Sequence, residues 1–329
     1  MNITELRNNL ELFYTEGIGA LMYFVLCEQG EMKVRLADIK AENLNDLKKL
    51  FLNEIKESIL DTSIENNQNL QILNISSADE RGSVLYKYDL DELPNEIKVL
   101  SDISENGEQP EFSSSCDNLR DLYAYVIVIG DAEHKLLLYK KHYPISTYYA
   151  QKHFYLFESN HRFEKLEKDM IKLDGNSDLL YINGVLLIRN LKMFERFFSF
   201  HDIVKREATL GITAIQNEGI LDNPEELLNM LNDVSFARKL TKIASNSPVL
   251  GKIPLSSIID FTKTHPTLKG KISYSPLGTQ IHLDTKASKK LFLKILNDDF
   301  LRSELTKAYY DSLAKDCLIV DTLATNNIV

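Results

Sequence analysis

From Leu122 to Ile129 the chain is an unbroken apolar run rich in β-branched residues. A strand with one wet face alternates polar and apolar residues; one with no polar position needs cover on both faces. The run is also far too short to cross a bilayer, which takes about 20 apolar residues. It therefore predicts a central strand between two layers. Gly130-Asp131 turns the chain toward a second strand, Lys135 to Tyr139, and His153 to Phe157 and Leu179 to Ile182 continue the pattern. Asn183-Gly184, between Tyr181-Ile182 and Val185-Leu186, carries the signal of a tight hairpin, because a type I′ turn needs positive φ at both central residues. An antiparallel meander over 119–189 is the expectation.

The N-terminal third mixes helix and strand. Leu6, Leu10 and Phe13 recur at helical spacing within Ile3 to Tyr14, and Leu47, Leu50, Phe51, Ile55 and Ile59 do so within Leu44 to Leu60. Leu21 to Leu26 and Lys33 to Ala37 read as strands paired around Gln29-Gly30. From Ile103 to Asn118 the chain turns polar, with Gly, Pro and Ser, and reads as a linker. The expected division is an acidic α/β domain over 1–118 and a second domain over 119–329. In the latter, 190–329 is mostly helical, with Asn190 as an N-cap for a helix running through Phe194, Phe197 and Val204 and with Asn223-Pro224 opening another. Helices are expected over Ser235 to Ala244, Pro254 to Thr262 and Thr285 to Leu296. Lys271 to Tyr274 and Thr279 to Leu283 form a hairpin across Ser275-Pro276-Leu277-Gly278. The fold class is α+β: an antiparallel central sheet with flanking helices, a small α/β N-terminal domain and a mostly helical, basic C-terminal part.

Charge is distributed along the same line. The net charge of −10 divides into 23 acids and 10 bases over 1–118 against 25 acids and 28 bases over 119–329. Within 235–315 there are 14 Lys/Arg and 6 Asp/Glu. An acidic whole argues against indiscriminate polyanion binding, while a basic segment can still build a phosphate-binding surface. The helix over Ser235 to Ala244 sets Arg238, Lys239 and Lys242 opposite Phe236, Leu240, Ile243 and Ala244. That over Thr285 to Leu296 sets Lys286, Lys289, Lys290 and Lys294 opposite Ala287, Leu291, Ile295 and Leu296, interrupted only by Leu293. The same lysines also read as ordinary solvated helix faces.

Catalytic signatures are sparse. Phosphate-binding glycine loops, the G-x-S-x-G elbow and the H-E-x-x-H zinc motif do not occur. Cys27, Cys116 and Cys317 lie far apart, and the seven histidines are scattered, so no cofactor and no metal site is expected. The cysteine spacing and the polar, acidic Met1 to Leu10 suit a reducing, cytoplasmic setting. A metal-dependent nuclease would need an Asp and a D/E-x-K triplet; Asp121 with Glu133-x-Lys135 is the candidate, among seven such triplets in the chain.

Leu122-Tyr123-Ala124-Tyr125 leads to Leu138-Tyr139-Lys140-Lys141. Leu186-Leu187-Ile188 with Phe194-Glu195 follows, then Arg238-Lys239-Leu240. Leu296-Asn297-Asp298-Asp299 comes last, with Leu305-Thr306 and Tyr309 before Lys315. In order and spacing this series resembles the KwaB-like proteins of the Kiwa anti-phage defence system, over about 119–315. Lys307 stands where the family often has glycine. The resemblance implies a cytoplasmic subunit that forms a homodimer or higher homo-oligomer and binds DNA, expected to be double-stranded. It also implies a transmembrane partner, a KwaA-like subunit, that holds it at the inner face of the membrane and lets it obstruct phage replication or transcription.

Joined to the charge pattern, this gives a non-catalytic DNA-binding subunit. It would contact phosphates through Arg238, Lys239, Lys242, Lys286, Lys289, Lys290 and Lys294, with Lys263, Lys269 and Lys271 as lesser contributors; Arg238 reads equally as a structural ion-pair partner. Tyr274, Tyr309 and Tyr310 could stack on bases or sit in the core. A nuclease acting on phage DNA is the rival reading, and an adaptor whose basic faces meet an acidic protein is a third.

Overall fold

The computed structural model describes residues 1–61, 70–77, 84–105, 108–131, 133–150, 154–159, 161–302 and 309–311. Among the expectations above, His153, Leu305, Thr306, Lys307 and Lys315 lie outside the described residues. The chain divides into two compact units, one of residues 1–74 and 81–200, the other of 75–80 and 201–329.

The first unit is built on β5 (Leu122–Gly130). On one side it pairs antiparallel with β1 (Gly19–Glu28), which pairs with β2 (Glu31–Leu36) across Gln29-Gly30, both at positive φ. On the other side come β6 (Lys135–Lys141), β11 (Leu179–Ile182) and β12 (Val185–Ile188), each antiparallel to the last. Two more N-terminal strands close that edge: β4 (Val84–Lys87) antiparallel to β12, then β3 (Gln71–Asn74) parallel to β4. The eight-stranded order is β2-β1-β5-β6-β11-β12-β4-β3. The antiparallel meander is present over β5, β6, β11 and β12, with Asn183 and Gly184 turning β11 into β12 at positive φ. The strand expected over His153 to Phe157 does not join it: β6 pairs directly with β11, and Leu156–Ser159 pairs in a separate two-stranded sheet. The N-terminal third, however, supplies both edges of this sheet. The division lies near residue 200 and not at 118/119, because the backbone ladder from Gly19 to Leu26 is satisfied by β5.

Both faces of the sheet are covered. On one, Tyr125, Ile127, Ile129, Leu136, Leu138, Leu180 and Ile182 pack with Leu6 and Leu10 of α1 (Ile3–Glu11) and Phe51, Leu52 and Ile55 of α2 (Ala41–Ile55). Asn2 caps α1 in a capping box with Glu5, and the helical spacing over 44–60 continues as one π turn, Lys56–Leu60. On the other face Tyr139 meets Phe198 edge-on at 5.7 Å, and Ile97, Leu100 and Ile103 of α3 (Asn95–Glu105) are buried. Arg189, following β12, anchors α2 by donating from Nη1 and Nη2 to the Glu54 carboxylate at 2.6 and 2.5 Å and to Ser58 and Ser177.

The polar segment read as a linker is a strap. The Leu36 amide donates to the Pro110 carbonyl and the Phe112 amide to the Leu36 carbonyl, both at 2.8 Å, so the chain lies against the free edge of β2. Asp117, with 1% of its side chain exposed, accepts from Arg35 Nε at 2.9 Å and from the Ser113 amide at 3.0 Å. Two small pairs project from the meander: β7 (Thr147–Tyr148) with β10 (Met170–Ile171), and β8 (Leu156–Ser159) with β9 (Arg162–Lys165).

The first unit closes with α4 (Leu191–Phe197), which Asn190 caps by accepting from the Met193 amide and which ends at Phe198. The second unit is mainly helical. Ser199 stands at φ 44°, so α5 (Phe200–Asn217) starts anew where one continuous helix was expected. Asn223-Pro224 opens a 3-10 helix, Pro224–Met230. The α6 (Val234–Thr241), α7 (Ile243–Asn246), α8 (Leu255–Thr264) and α9 (Lys286–Leu296) helices follow, with the hairpin β13 (Ser273–Tyr274) and β14 (Ile281–His282) before α9. Phe300–Arg302 and Tyr309–Asp311 pair as β15 and β16. Gly211 lets α5 lie against the end of α6: a Cβ there would stand 2.2 Å from the Leu240 carbonyl oxygen.

Two stability outcomes follow from these contacts. Gly211→Ala forces α5 away from α6 and lowers the unfolding free energy by about 1–3 kcal/mol in a urea titration. Asp117→Ala leaves Arg35 without its carboxylate and loosens the strap at a cost of about 2 kcal/mol. Limited proteolysis then cuts within 108–117 faster than in the parent protein.

A lysine-lined groove between two helices

The basic residues singled out in the sequence divide into three groups, and packing decides the division. Arg238 belongs to the interior. It is 0% exposed on α6, with Nη1 3.5 Å from the Ile75 carbonyl oxygen, so its guanidinium does not face a ligand as placed. Lys289 is also removed from the surface. With 9% of its side chain exposed, it bonds the Glu226 carboxylate at 2.5 Å and thereby holds the carboxyl of Glu226 below the usual carboxylate range. The expectation that α9 presents all four of its lysines is corrected here. Its buried face carries Ser288, Lys289, Phe292, Leu293, Ile295 and Leu296, while Ala287 is exposed. Helical spacing allowed either face, and Phe292 supplies more apolar area than Ala287.

A second group converges. Lys239 of α6 and Lys290 and Lys294 of α9 line one open groove of about 90 Å³, with Ser235, Phe236 and Leu293 forming the rest of its wall. Lys286 stands one turn before Lys290 and is 64% exposed. On α9, Lys286, Lys290 and Lys294 are spaced four residues apart, a row of steps of about 6 Å along one helix face. Thr285 fixes the start of that row, accepting from the Ser288 amide in a capping box.

Two lysines of the row, Lys286 and Lys290, share one carboxylate. Asp233 caps α6 by accepting from the Phe236 amide at 3.3 Å, and it also meets Lys286 at 3.3 Å and Lys290 at 4.0 Å. Burial pushes the carboxyl of Asp233 up, but the Phe236 amide and the two lysines outweigh it and hold its pKa below the ordinary value. One anion between two ammonium groups leaves the pair with a positive surplus, and exposed ion pairs of this kind yield readily to a stronger anion. Asp233, Glu226, Phe236 and Ser235 were not among the sequence candidates. The Asp233-x-x-Phe236 helix start was legible as a cap, but its second use as a counter-ion needs α9 alongside.

The third group stays apart from the groove lining. Lys242 follows α6, half-buried. Lys263 ends α8 with Nζ 5.0 Å from the centre of the Tyr274 ring, and Lys269 and Lys271 lie exposed in the turn beyond. Tyr274 is thus engaged by a lysine and by Thr262, whose hydroxyl is 2.8 Å from its own. Tyr309 and Tyr310 fall in β16.

The nuclease constellation is not assembled. Asp121 precedes β5 and Glu133 follows it, so the strand of nine residues separates them by about 27 Å. Glu133 sits exposed in the turn, its amide donating to Asp131 at 2.8 Å, and Lys135 Nζ is bound to the Ser104 carbonyl. Among the described residues no group of three His, Cys, Asp or Glu side chains is placed to hold a metal ion. None of their helices is long and apolar enough to cross a membrane.

Comparison with known proteins adds the family. The model of the Kiwa protein KwaB-like family matches residues 119–306. The Kiwa protein KwaB of Escherichia coli O55:H7 (strain RM12579 / EPEC) is 30% identical over 289 residues, covering 87% of this chain and 90% of the relative. That span is longer than 119–329, so the likeness extends into the N-terminal third, beyond the segment in which the sequence motifs were recognised. No solved structure matches. With the family model and the full-length relative in agreement, the chain belongs to the KwaB-like family of Kiwa proteins.

Proposed function

We propose that this chain, a KwaB-family component of the Kiwa anti-phage defence system, is a subunit that binds double-stranded DNA and acts by occupying it without cutting it. The observation that carries this reading is the convergence of Lys239, Lys290 and Lys294 on one groove, extended along α9 by Lys286. Phosphate contacts by lysine provide affinity without reading sequence, as suits a protein that must meet DNA of any sequence. A row of ammonium groups on a rigid helix can follow one phosphate strand, and Asp233 keeps Lys286 and Lys290 ordered until the phosphates replace it. The separation of Asp121 from Glu133 favours binding over cleavage. In this reading copies of the chain associate, and a KwaA-like transmembrane subunit holds them at the inner face of the membrane, where bound phage DNA is kept from replication or transcription.

The test is a titration of the full chain with a duplex of arbitrary sequence at several salt concentrations. Affinity should fall steeply with salt, and each of Lys239→Ala, Lys290→Ala and Lys294→Ala should weaken it and reduce the log–log slope by about 0.9. Salt-insensitive binding, or variants that bind like the parent protein, would sink the reading. Binding that is instead competed by an acidic polypeptide far better than by DNA would favour the adaptor role.

Stability separates the surface lysines from the buried arginine. Lys290→Ala leaves the urea midpoint within about 0.5 kcal/mol of the parent protein, whereas Arg238→Ala empties an interior site and costs about 3 kcal/mol or more. A destabilisation by Lys290→Ala as large as that of Arg238→Ala would show that the groove lysines are structural.

A further inference from the structure

His282, in β14, has a carboxylate at each ring nitrogen. Nδ1 is 2.8 Å from Asp222 Oδ1, and Nε2 is 2.9 Å from Asp284 Oδ1. A carboxylate only accepts, so both nitrogens must donate, and only the imidazolium carries two N–H groups. Neutral histidine would turn a lone pair toward one of the two carboxylates at hydrogen-bond distance. The geometry thus requires the charged ring.

The place of this ring in the fold gives the charge a consequence. β13 and β14 are two residues each, and a hairpin that small does not hold by itself. It is held from outside by residues 219–223, which run beside it. The Ile281 amide donates to the Ile220 carbonyl at 2.9 Å, and the Asp222 amide donates to the Ile281 carbonyl at 3.2 Å. Gln280 Nε2 donates to the Gly219 carbonyl at 2.9 Å, and Asn223 exchanges bonds with the Leu283 backbone at 3.0 and 3.1 Å. His282 is the member of this seam whose bonding depends on a proton. The charged groups facing it are Asp222 from the seam, Asp284 from the loop before α9, and Glu225 and Glu226 from the 3-10 helix; Glu226 in turn is held by Lys289 of α9.

We infer that His282 is a proton-operated latch: protonated, it ties β14 to the 219–223 segment and to the loop that starts α9; deprotonated, it releases one of the two carboxylates and loosens the hairpin. The direction follows from linkage. The bond to Asp222 is the largest cause raising the pKa of His282 above the ordinary histidine value; burial opposes it, and the charges of Asp222, Asp284 and Glu225 add to the rise. The stabilisation is therefore complete below the unfolded-state value of about 6.5 and is lost as pH rises through the folded-state pKa.

Hydrogen exchange of the full chain, followed by mass spectrometry from pH 6 to pH 9 and corrected for the intrinsic rate, tests the latch. Peptides covering 219–223 and 280–283 should lose protection several-fold across that range while those of β5 do not, and His282→Gln should abolish the pH dependence. Protection that stays flat in the parent protein, or a pH dependence that survives in His282→Gln, would overturn the inference. Imidazole nitrogen NMR of the parent protein gives an independent reading: both ring nitrogens of His282 protonated at pH 7 supports the latch, and a neutral tautomer at pH 6 refutes it.

Discussion

Everything in the first unit depends on the burial of β5 from both sides. Its run of apolar side chains cannot be satisfied by one layer, and its backbone donors and acceptors cannot be left unpaired in such a core. The paired N-terminal strand β1 and the sequential strand β6 meet the second demand, and α1 and α2 on one face with α3 and α4 on the other meet the first. Once β1 is committed to β5, the first 118 residues cannot form a separate core. They furnish the two outer edges of the sheet, and the polar strap of 108–117 covers the edge of β2 that would otherwise be open to association.

The groove on the helical unit is governed by a balance of charge against burial. Seven basic residues on α6, its exit and α9 were candidates in one dimension, with Arg238 alone reading equally as a structural ion-pair partner. In the fold, Arg238 is enclosed and Lys289 is spent on Glu226, while Lys286 and Lys290 share Asp233 and keep most of their side chains in water. A buried charge needs a fixed partner to offset its desolvation, so it is unavailable to a ligand; an exposed one is held loosely and can exchange partners. The same separation explains why the arginine and the lysines should respond so differently to truncation.

Acidic residues have a second role in this unit. Asp233, Glu226, Asp222 and Asp284 each hold a cationic side chain that connects successive elements of the chain, and two of them meet on His282. The 235–315 segment carries 14 Lys/Arg against 6 Asp/Glu, yet its elements are joined through carboxylates, several of them supplied by the residues just before it. Protonation of one histidine can therefore bear on the hairpin that precedes α9 without touching the apolar core.

Much of the architecture was legible from local pattern. The apolar run at Leu122 to Ile129, the Asn183-Gly184 turn, the helical spacing of Leu6, Leu10 and Phe13 and the N-cap at Asn190 determine their elements because each depends on near neighbours. The sequence likewise determined the family, through the order of its motifs, and the acidic-to-basic gradient along the chain. Only the tertiary structure decided that the polar stretch before Asn118 is a strap, that β1 joins β5, that Arg238 is interior and that Phe292 displaces Ala287 from the core of α9. The physical reason is common to all four. Pairing partners, burial and counter-ions are supplied by residues tens to more than a hundred positions away, and neither composition nor periodicity specifies which of them will arrive.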